Sequence, residues 1–239
     1  MAEPRPQGQP ARRDWNDVAR QIDASGFARL PKLLGANECQ SLAGLYDRDP
    51  LFRSTVDMAR HGFGRGQYRY FTAPLPPLVA RLRRTLYPPL AKIARAWATR
   101  LGQDPEAYPP TLNGFLGRCR AAGQTRPTPL LLRYRTDDWN ALHQDTYGAV
   151  AFPLQVAVLL TDPHSDHEGG ELILVEQRPR AQSRATTVPL TQGDAVVFTN
   201  RERPVHGTRG DYRVAMRHGV STVTAGQRLT LGIIFHDAE

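Results

Sequence analysis

From about residue 128 the chain breaks into short apolar runs rich in β-branched residues, each closed by a turn, and this texture constrains the fold more than any other feature. The runs are PLLLRYR, FPLQVAVLLT, GGELILVE, ATTVPL, GDAVVFT, RHGVSTVTA and QRLTLGIIFH. Seven or so strands in roughly 110 residues predict a β-sandwich or barrel. The first half reads differently. Residues 14–24 carry helical spacing through Trp15, Val18, Ala19 and Ile22, and GFARLPKLL reads as a short strand entering a turn. ANECQSLAGLY resumes a helix with Asn37 as its N-cap. RSTVDMARHGFGRGQYRYFTAP reads as a flexible loop followed by a strand. LPPLVARLRRTLYPPLAKIARAWATRLG reads as helix, interrupted at Pro88–Pro89. The expected architecture is α+β: a disordered tail over 1–13, a helical region with a substrate loop over 14–127, and a β core over 128–239. The N-terminal part alone has little to pack on, so the parts form one functional unit.

Several classes are excluded or disfavoured. No stretch reaches the roughly 18–20 uninterrupted apolar residues of a membrane helix. The start, MAEPRPQGQPARRDW, lacks the apolar segment of a secretory signal. Cys39 and Cys119 stand far apart, cannot form a zinc site alone, and read as buried small residues of a cytoplasmic protein. The net charge of +8 is uneven: residues 1–128 hold 20 Lys+Arg against 10 Asp+Glu, and residues 129–239 hold 11 against 13. Lys32 and Lys92 are the only lysines. Arginine's forked donors suit phosphate, so the surplus points to a polyanion such as nucleic acid. A genome with GC-rich codons would inflate arginine as well.

Two His-x-Asp tripeptides compete as halves of a metal site: His143 and Asp145 in ALHQDTYG, and His164 and Asp166 in DPHSDHEGG. Two histidines and one carboxylate leave half of an octahedral Fe(II) sphere open for substrate and oxygen. In an extended segment residues i and i+2 share a face, so His143 and Asp145 both point inward while Gln144 points away. The second tripeptide lies among Pro163, glycines and charges between two strands, which is a loop composition. The second His is expected in RHGVSTVTAGQRLTLGIIFHDA, read as a hairpin turning near Thr224–Gly226, with His218 nearly opposite Arg228 and Thr230 on the Arg228 face. An arginine there suits the far carboxylate of a dicarboxylate cosubstrate whose other end chelates the metal.

This pattern resembles the Fe(II)/2-oxoglutarate-dependent dioxygenases, whose core is a double-stranded β-helix (jelly-roll, cupin-like). LRYRTDDWNALHQD is similar to the AlkB nucleic-acid repair dioxygenases, which place an Arg-Tyr nine residues before Leu-His-Gln-Asp; this implies that Tyr134 hydrogen-bonds 2-oxoglutarate. LLTDPHSDHEGGELIL and RHGVSTVTAGQRLTLGIIF resemble the prolyl-4-hydroxylase branch, in which the distal His precedes the cosubstrate Arg by about ten residues, as His218 precedes Arg228. Overall the chain resembles a bacterial family of oxygenases proposed to act on damaged nucleic acid. An AlkB-like alignment through GDAVVF would instead choose His206 as distal ligand, and the second arginine of the AlkB pattern is replaced here by Ile234. The resemblance implies Fe(II) on His143, Asp145 and His218, 2-oxoglutarate on Arg228, Thr230 and Tyr134, O2 as oxidant, and oxidative demethylation of alkylated DNA or RNA. Hydroxylation of a protein residue or small molecule is the alternative, and a non-enzymatic nucleic-acid-binding β-barrel a third reading. For the base, Tyr68, Tyr70, Phe71 and Trp139 are available, and for phosphates Arg53, Arg60, Arg65 and Arg69. These residues equally suit one core strand with a solvated basic face.

Overall fold

The computed structural model describes residues 13–145 and 148–239, so the expected tail lies, apart from Arg13, outside the described residues. Four α-helices are present among them: α1 (Trp15–Ser25), α2 (Ala36–Ala43), α3 (Pro77–Arg100) and α4 (Leu112–Ala121). The strands of the first half are β1 (Phe27–Leu30), β2 (Phe52–Asp57), β3 (Gly64–Arg65) and β4 (Gln67–Phe71). Those of the second are β5 (Leu130–Arg135), β6 (Trp139–His143), β7 (Leu154–Leu159), β8 (His167–Gly169), β9 (Leu172–Gln177), β10 (Arg184–Val188), β11 (Ala195–Thr199), β12 (Glu202–Gly207), β13 (Gly210–Val220) and β14 (Val223–Ile233). They form two antiparallel sheets. The major sheet runs β1-β11-β7-β14-β5-β4-β2 with β8 also on β14; the minor sheet runs β10-β9-β13-β6-β3 with β12 also on β13. This is the expected double-stranded β-helix core with a helical layer against it.

The period of two sorts the strands of the major sheet between two cores. Val156, Val158, Val197, Leu229, Leu231 and Ile233 pack outward onto helical residues such as Leu86, Leu90 and Ala94. Their alternates Leu159, Val196 and Phe198 point inward and meet Leu172, Leu174 and Met216 of the minor sheet. A second inner cluster holds Met58, Tyr134, Val220 and Val223. Residues of both inner clusters line one cavity of about 520 Å³. Two buried polar clasps tie the layers. Arg83 of α3 donates to the Ile234 and Phe235 carbonyls at 3.0 and 2.9 Å and to Asp237 at 2.8 Å. Asp194, before β11, accepts from the Lys32 and Thr191 amides, the Thr191 hydroxyl and Arg29, all within 2.9–3.1 Å.

Five local expectations change. α3 runs unbroken through Pro88 and Pro89. Two carbonyls lose their i+4 donors there, those of Arg84 and Thr85; both residues are exposed, so water serves them, while Leu86, Tyr87, Leu90 and Ala91 hold the buried face. The α2 N-cap is Gly35 rather than Asn37, with the Glu38 carboxylate accepting from the Gly35 amide at 3.1 Å. The supposed loop after residue 51 contains a further strand, β2, paired with β4. RPVHG, outside the strands expected from the sequence, forms β12, and Pro204 is tolerated because that edge need not donate. Finally, β13 and β14 are not a hairpin: β13 belongs to the minor sheet and β14 to the major one. The polypeptide crosses between the sheets at Ser221–Thr222, where β14 starts at Val223 rather than after a turn at Thr224–Gly226. Among the described residues no helix is long and apolar enough to cross a membrane.

Candidate metal centre

The two sheets bring the outlying histidines together. His218 on β13 is the register partner of His143 on β6, and the ring centroids stand 4.2 Å apart. Asp145 follows the end of β6. His218 Nε2 lies 3.2 Å and His143 Nε2 3.6 Å from the Asp145 carboxylate oxygens. One ligand atom from each of the three residues falls within 4.8 Å of the others. The donor set suits a borderline divalent ion, since it has two imidazoles, one carboxylate and no thiolate. His143 Nδ1 lies 2.8 Å from the Ala141 carbonyl, which places the ring proton on Nδ1 and leaves the Nε2 lone pair directed at the cluster.

The electrostatics are those of a site wanting a cation. Burial would raise the Asp145 carboxyl, yet His218, His143 and Gln155 hold it below the usual carboxylate range. Burial, with His218 nearby, lowers the His143 imidazole, favouring the neutral ring that binds metal. Gln155 was not foreseen. Its amide donates to Asp145 Oδ2 at 2.8 Å and lies 3.2 Å from His218 Nε2. A polar side chain in the middle of FPLQVAVLL was the available signal, because a strand buried on both faces has no structural use for it. Gln144 does point out of the cluster, but it is fastened: its amide donates to the Met216 and Arg201 carbonyls at 2.8 and 3.1 Å.

Across the cavity stands the major sheet. Arg228 and Tyr134 are register partners on β14 and β5, with the guanidinium 5.7 Å from the phenol ring centre. Arg228 donates to the Thr230 hydroxyl at 2.7 Å, and Asn140 donates to the Tyr134 hydroxyl at 3.3 Å. Arg228 is 4 % exposed and has no carboxylate within ion-pair distance among the described residues. Burial lowers its pKa, and Tyr134 and Glu171 oppose this only in part. The three expected ligands and the three expected anchor residues thus all line one cavity, from opposite walls.

Other candidates separate. His206 lies on β12, its side chain 82 % exposed, beside Asp211 at 3.4 Å and away from the cluster. His164 and Asp166 sit in a turn in which Asp162 and Asp166 accept backbone amides. Tyr68 and Tyr70 face the cavity, edge to face at 5.4 Å, whereas Phe71 is buried against the helical layer. Burial and the Asp145 carboxylate raise the Tyr68 phenol. Arg53 lies over the Tyr70 ring at 4.6 Å. Arg69 turns away, donating to Asp49 at 2.7 Å, so it serves the fold. Arg60 and Arg65 are exposed.

Comparison with known proteins places this geometry. Residues 66–238 match the Oxygenase-NA family, described as "Oxygenase, catalysing oxidative methylation of damaged DNA". The uncharacterized protein Rv2227 of Mycobacterium tuberculosis is 53% identical over 168 residues, which are 70% of this chain and 72% of that protein. A Pseudomonas putida prolyl-4-hydroxylase shares the fold with a TM-score of 0.54 at 15% identity, over 95% of this chain and 100% of that one. An oxidoreductase of the 2OG-Fe(II) oxygenase family from Burkholderia pseudomallei does so with a TM-score of 0.55 at 17% identity, over 97% and 95%.

Proposed function

The chain belongs to the Oxygenase-NA family, and from that premise we propose that it is an Fe(II)/2-oxoglutarate-dependent dioxygenase that removes alkyl groups from damaged nucleic acid by oxidation. The observation that carries the reading is the pairing of two complementary half-sites in one cavity. His143, Asp145 and His218 would hold the metal on one wall, and Arg228 with Thr230 would hold a carboxylate on the other.

Bound together, Fe(II), 2-oxoglutarate and O2 supply an oxidant strong enough to hydroxylate an unactivated C–H bond, with succinate and carbon dioxide as coproducts. Everything else falls to the protein. The Ala141 carbonyl fixes the His143 tautomer, and Gln155 orients Asp145, so the three donors are set before the ion arrives. Arg228 offers a planar fork to the distal carboxylate, Thr230 already holds one of its nitrogens, and the Tyr134 hydroxyl, steadied by Asn140, supplies a further contact. Leu130, Leu132 and Val220 exclude water from the reacting carbon. Tyr68 and Tyr70 present flat faces to a base taken out of its stack. If the oxidised carbon is an N-methyl group, the hydroxymethyl product breaks down to formaldehyde and the unmodified base.

Anaerobic titration with Fe(II) and 2-oxoglutarate tests the first half of this proposal. A visible metal-to-ligand charge-transfer band should appear, and its absence at saturation would refute the cofactor assignment. Succinate and formaldehyde release in the presence of methylated oligonucleotide, compared with a proline-rich peptide, tests the second. Stimulation by the peptide alone would move the enzyme to the hydroxylase alternative.

A further inference from the structure

Three large apolar side chains are exposed among the described residues: Phe63 at 48%, Leu142 at 47% and Trp139 at 39%. All three lie on one ribbon. Gly64 and Arg65 of β3 pair with Asn140 and Trp139 of β6, and the Ala141 amide donates to the Phe63 carbonyl at 2.9 Å. Phe63 and Leu142 stand at the cavity mouth, and Trp139 lies farther along the ribbon. His61 stacks on Phe63 with ring centres 5.4 Å apart and an angle of 22°.

The ribbon is built for close approach. Gly64 has φ +122°, and a Cβ there would stand 2.3 Å from the Trp139 carbonyl oxygen. Gly66 has φ +118°, and its Cβ would meet the Tyr134 ring at 2.9 Å. Only glycine fits both positions, so the exposed rings are held on a backbone pinned to the cavity wall. Two arginines interleave with them. Arg60 has a side chain 82% exposed and touches Asp57 only at 3.9 Å. Arg65 is exposed and makes no ion pair among the described residues.

We propose that this ribbon is a stacking platform for single-stranded nucleic acid: Phe63 and Trp139 seat unpaired bases beside the one in the cavity, while Arg60 and Arg65 meet its phosphates. The proposal rests on the base-oxidising reading above and deepens it to strand preference. Flat rings alternating with cations form the surface that unpaired strands recognise, through base faces and backbone charge at once. A duplex hides its base faces and would set sugar and phosphate against Phe63 and Leu142, leaving their apolar surface unmatched. A peptide could cover the rings but would leave both arginines without acidic partners unless it were itself acidic. The arginine surplus of residues 1–128 favours the polyanion.

The test is fluorescence anisotropy with an unmodified single-stranded oligonucleotide, its duplex, and a proline-rich peptide. The proteins are the wild type, Phe63→Ala, Trp139→Leu and Arg65→Ala, each checked for an unchanged far-ultraviolet spectrum. The single strand should bind more tightly than the duplex, and each loss of a ring should weaken it by about 5- to 150-fold. Arg65→Ala should reduce the slope of log affinity against log salt by about 0.7. In the wild type, indole emission should be quenched on binding, and Trp139→Leu should abolish that quench. Ring variants that bind the single strand as tightly as the wild type, a preference for duplex, or peptide binding lost in Phe63→Ala would each overturn the platform. If methylated oligonucleotide is still turned over in those cases, the base-oxidising function stands without it. If no oligonucleotide stimulates turnover and the wild type binds none, both fall together.

Discussion

Replacing Arg228 with Met should move stability in opposite directions with and without cosubstrate. In the free protein the guanidinium is 4% exposed and lacks a carboxylate partner among the described residues. A dry unpaired ion costs several kcal/mol, and the cavity of about 520 Å³ beside this one is large enough to hold water, which lowers that cost. The variant also loses the 2.7 Å hydrogen bond to Thr230, which is worth about 0.5–1.5 kcal/mol. A net gain of about 1 kcal/mol is therefore expected, or roughly 2–4 °C in Tm for a chain of this size. With Fe(II) present, 2-oxoglutarate at about 100 times its Kd should stabilise the wild type by about 2.7 kcal/mol. Removing the partner of a buried carboxylate costs about 2–5 kcal/mol of binding, so at that concentration the variant should keep no more than about 0.9 kcal/mol of the cosubstrate shift. Anaerobic scanning calorimetry reads both quantities. A variant that is less stable when free and still shifts fully with 2-oxoglutarate would show that Arg228 serves packing, and would refute the anchor assignment.

Three further outcomes follow from the same geometry. His218→Ala should abolish the charge-transfer band while His206→Ala leaves it intact, as read in the anaerobic titration. Gln155→Ala should weaken metal affinity by roughly 10- to 100-fold, measured by competition with a chelator, because Asp145 loses its orienting donor. Burial raises the Asp194 carboxyl, but its donors hold it below the usual range, so its stabilising effect is full above the unfolded carboxylate pKa of about 4 and is lost as pH falls through the lower folded value. Asp194→Asn should therefore cost about 1–3 kcal/mol at neutral pH and flatten the acid limb of a urea-denaturation series.

The sequence made much of this legible, unevenly. FPLQVAVLLT and QRLTLGIIFH were visible as near-continuous apolar runs because one face of each strand meets helices and the other meets the opposite sheet. His143 and Asp145 could be ranked above His164 and Asp166 because loop composition differs from strand composition. The partnership of His218 with Arg228 was legible as a spacing, but not as a geometry. A hairpin and a sheet-to-sheet crossing have the same local pattern, and only the pairing of β13 with β6 and of β14 with β5 distinguishes them. Pro88 and Pro89 misled because propensity weighs the lost hydrogen bonds and not the water at the exposed carbonyls. Trp139, Arg60 and Arg65 were singled out, but Gln155 and the pairing that sets Phe63 beside Trp139 were missed for a common reason: each depends on a neighbour distant in sequence.

The two-residue crossing at Ser221–Thr222 has a mechanical consequence. Given the proposed roles, the metal end and the carboxylate end of the cavity are carried on consecutive strands, each held in its own sheet, and a two-residue corner joins them. A cosubstrate held at both ends would therefore tie the two sheets together beside that corner.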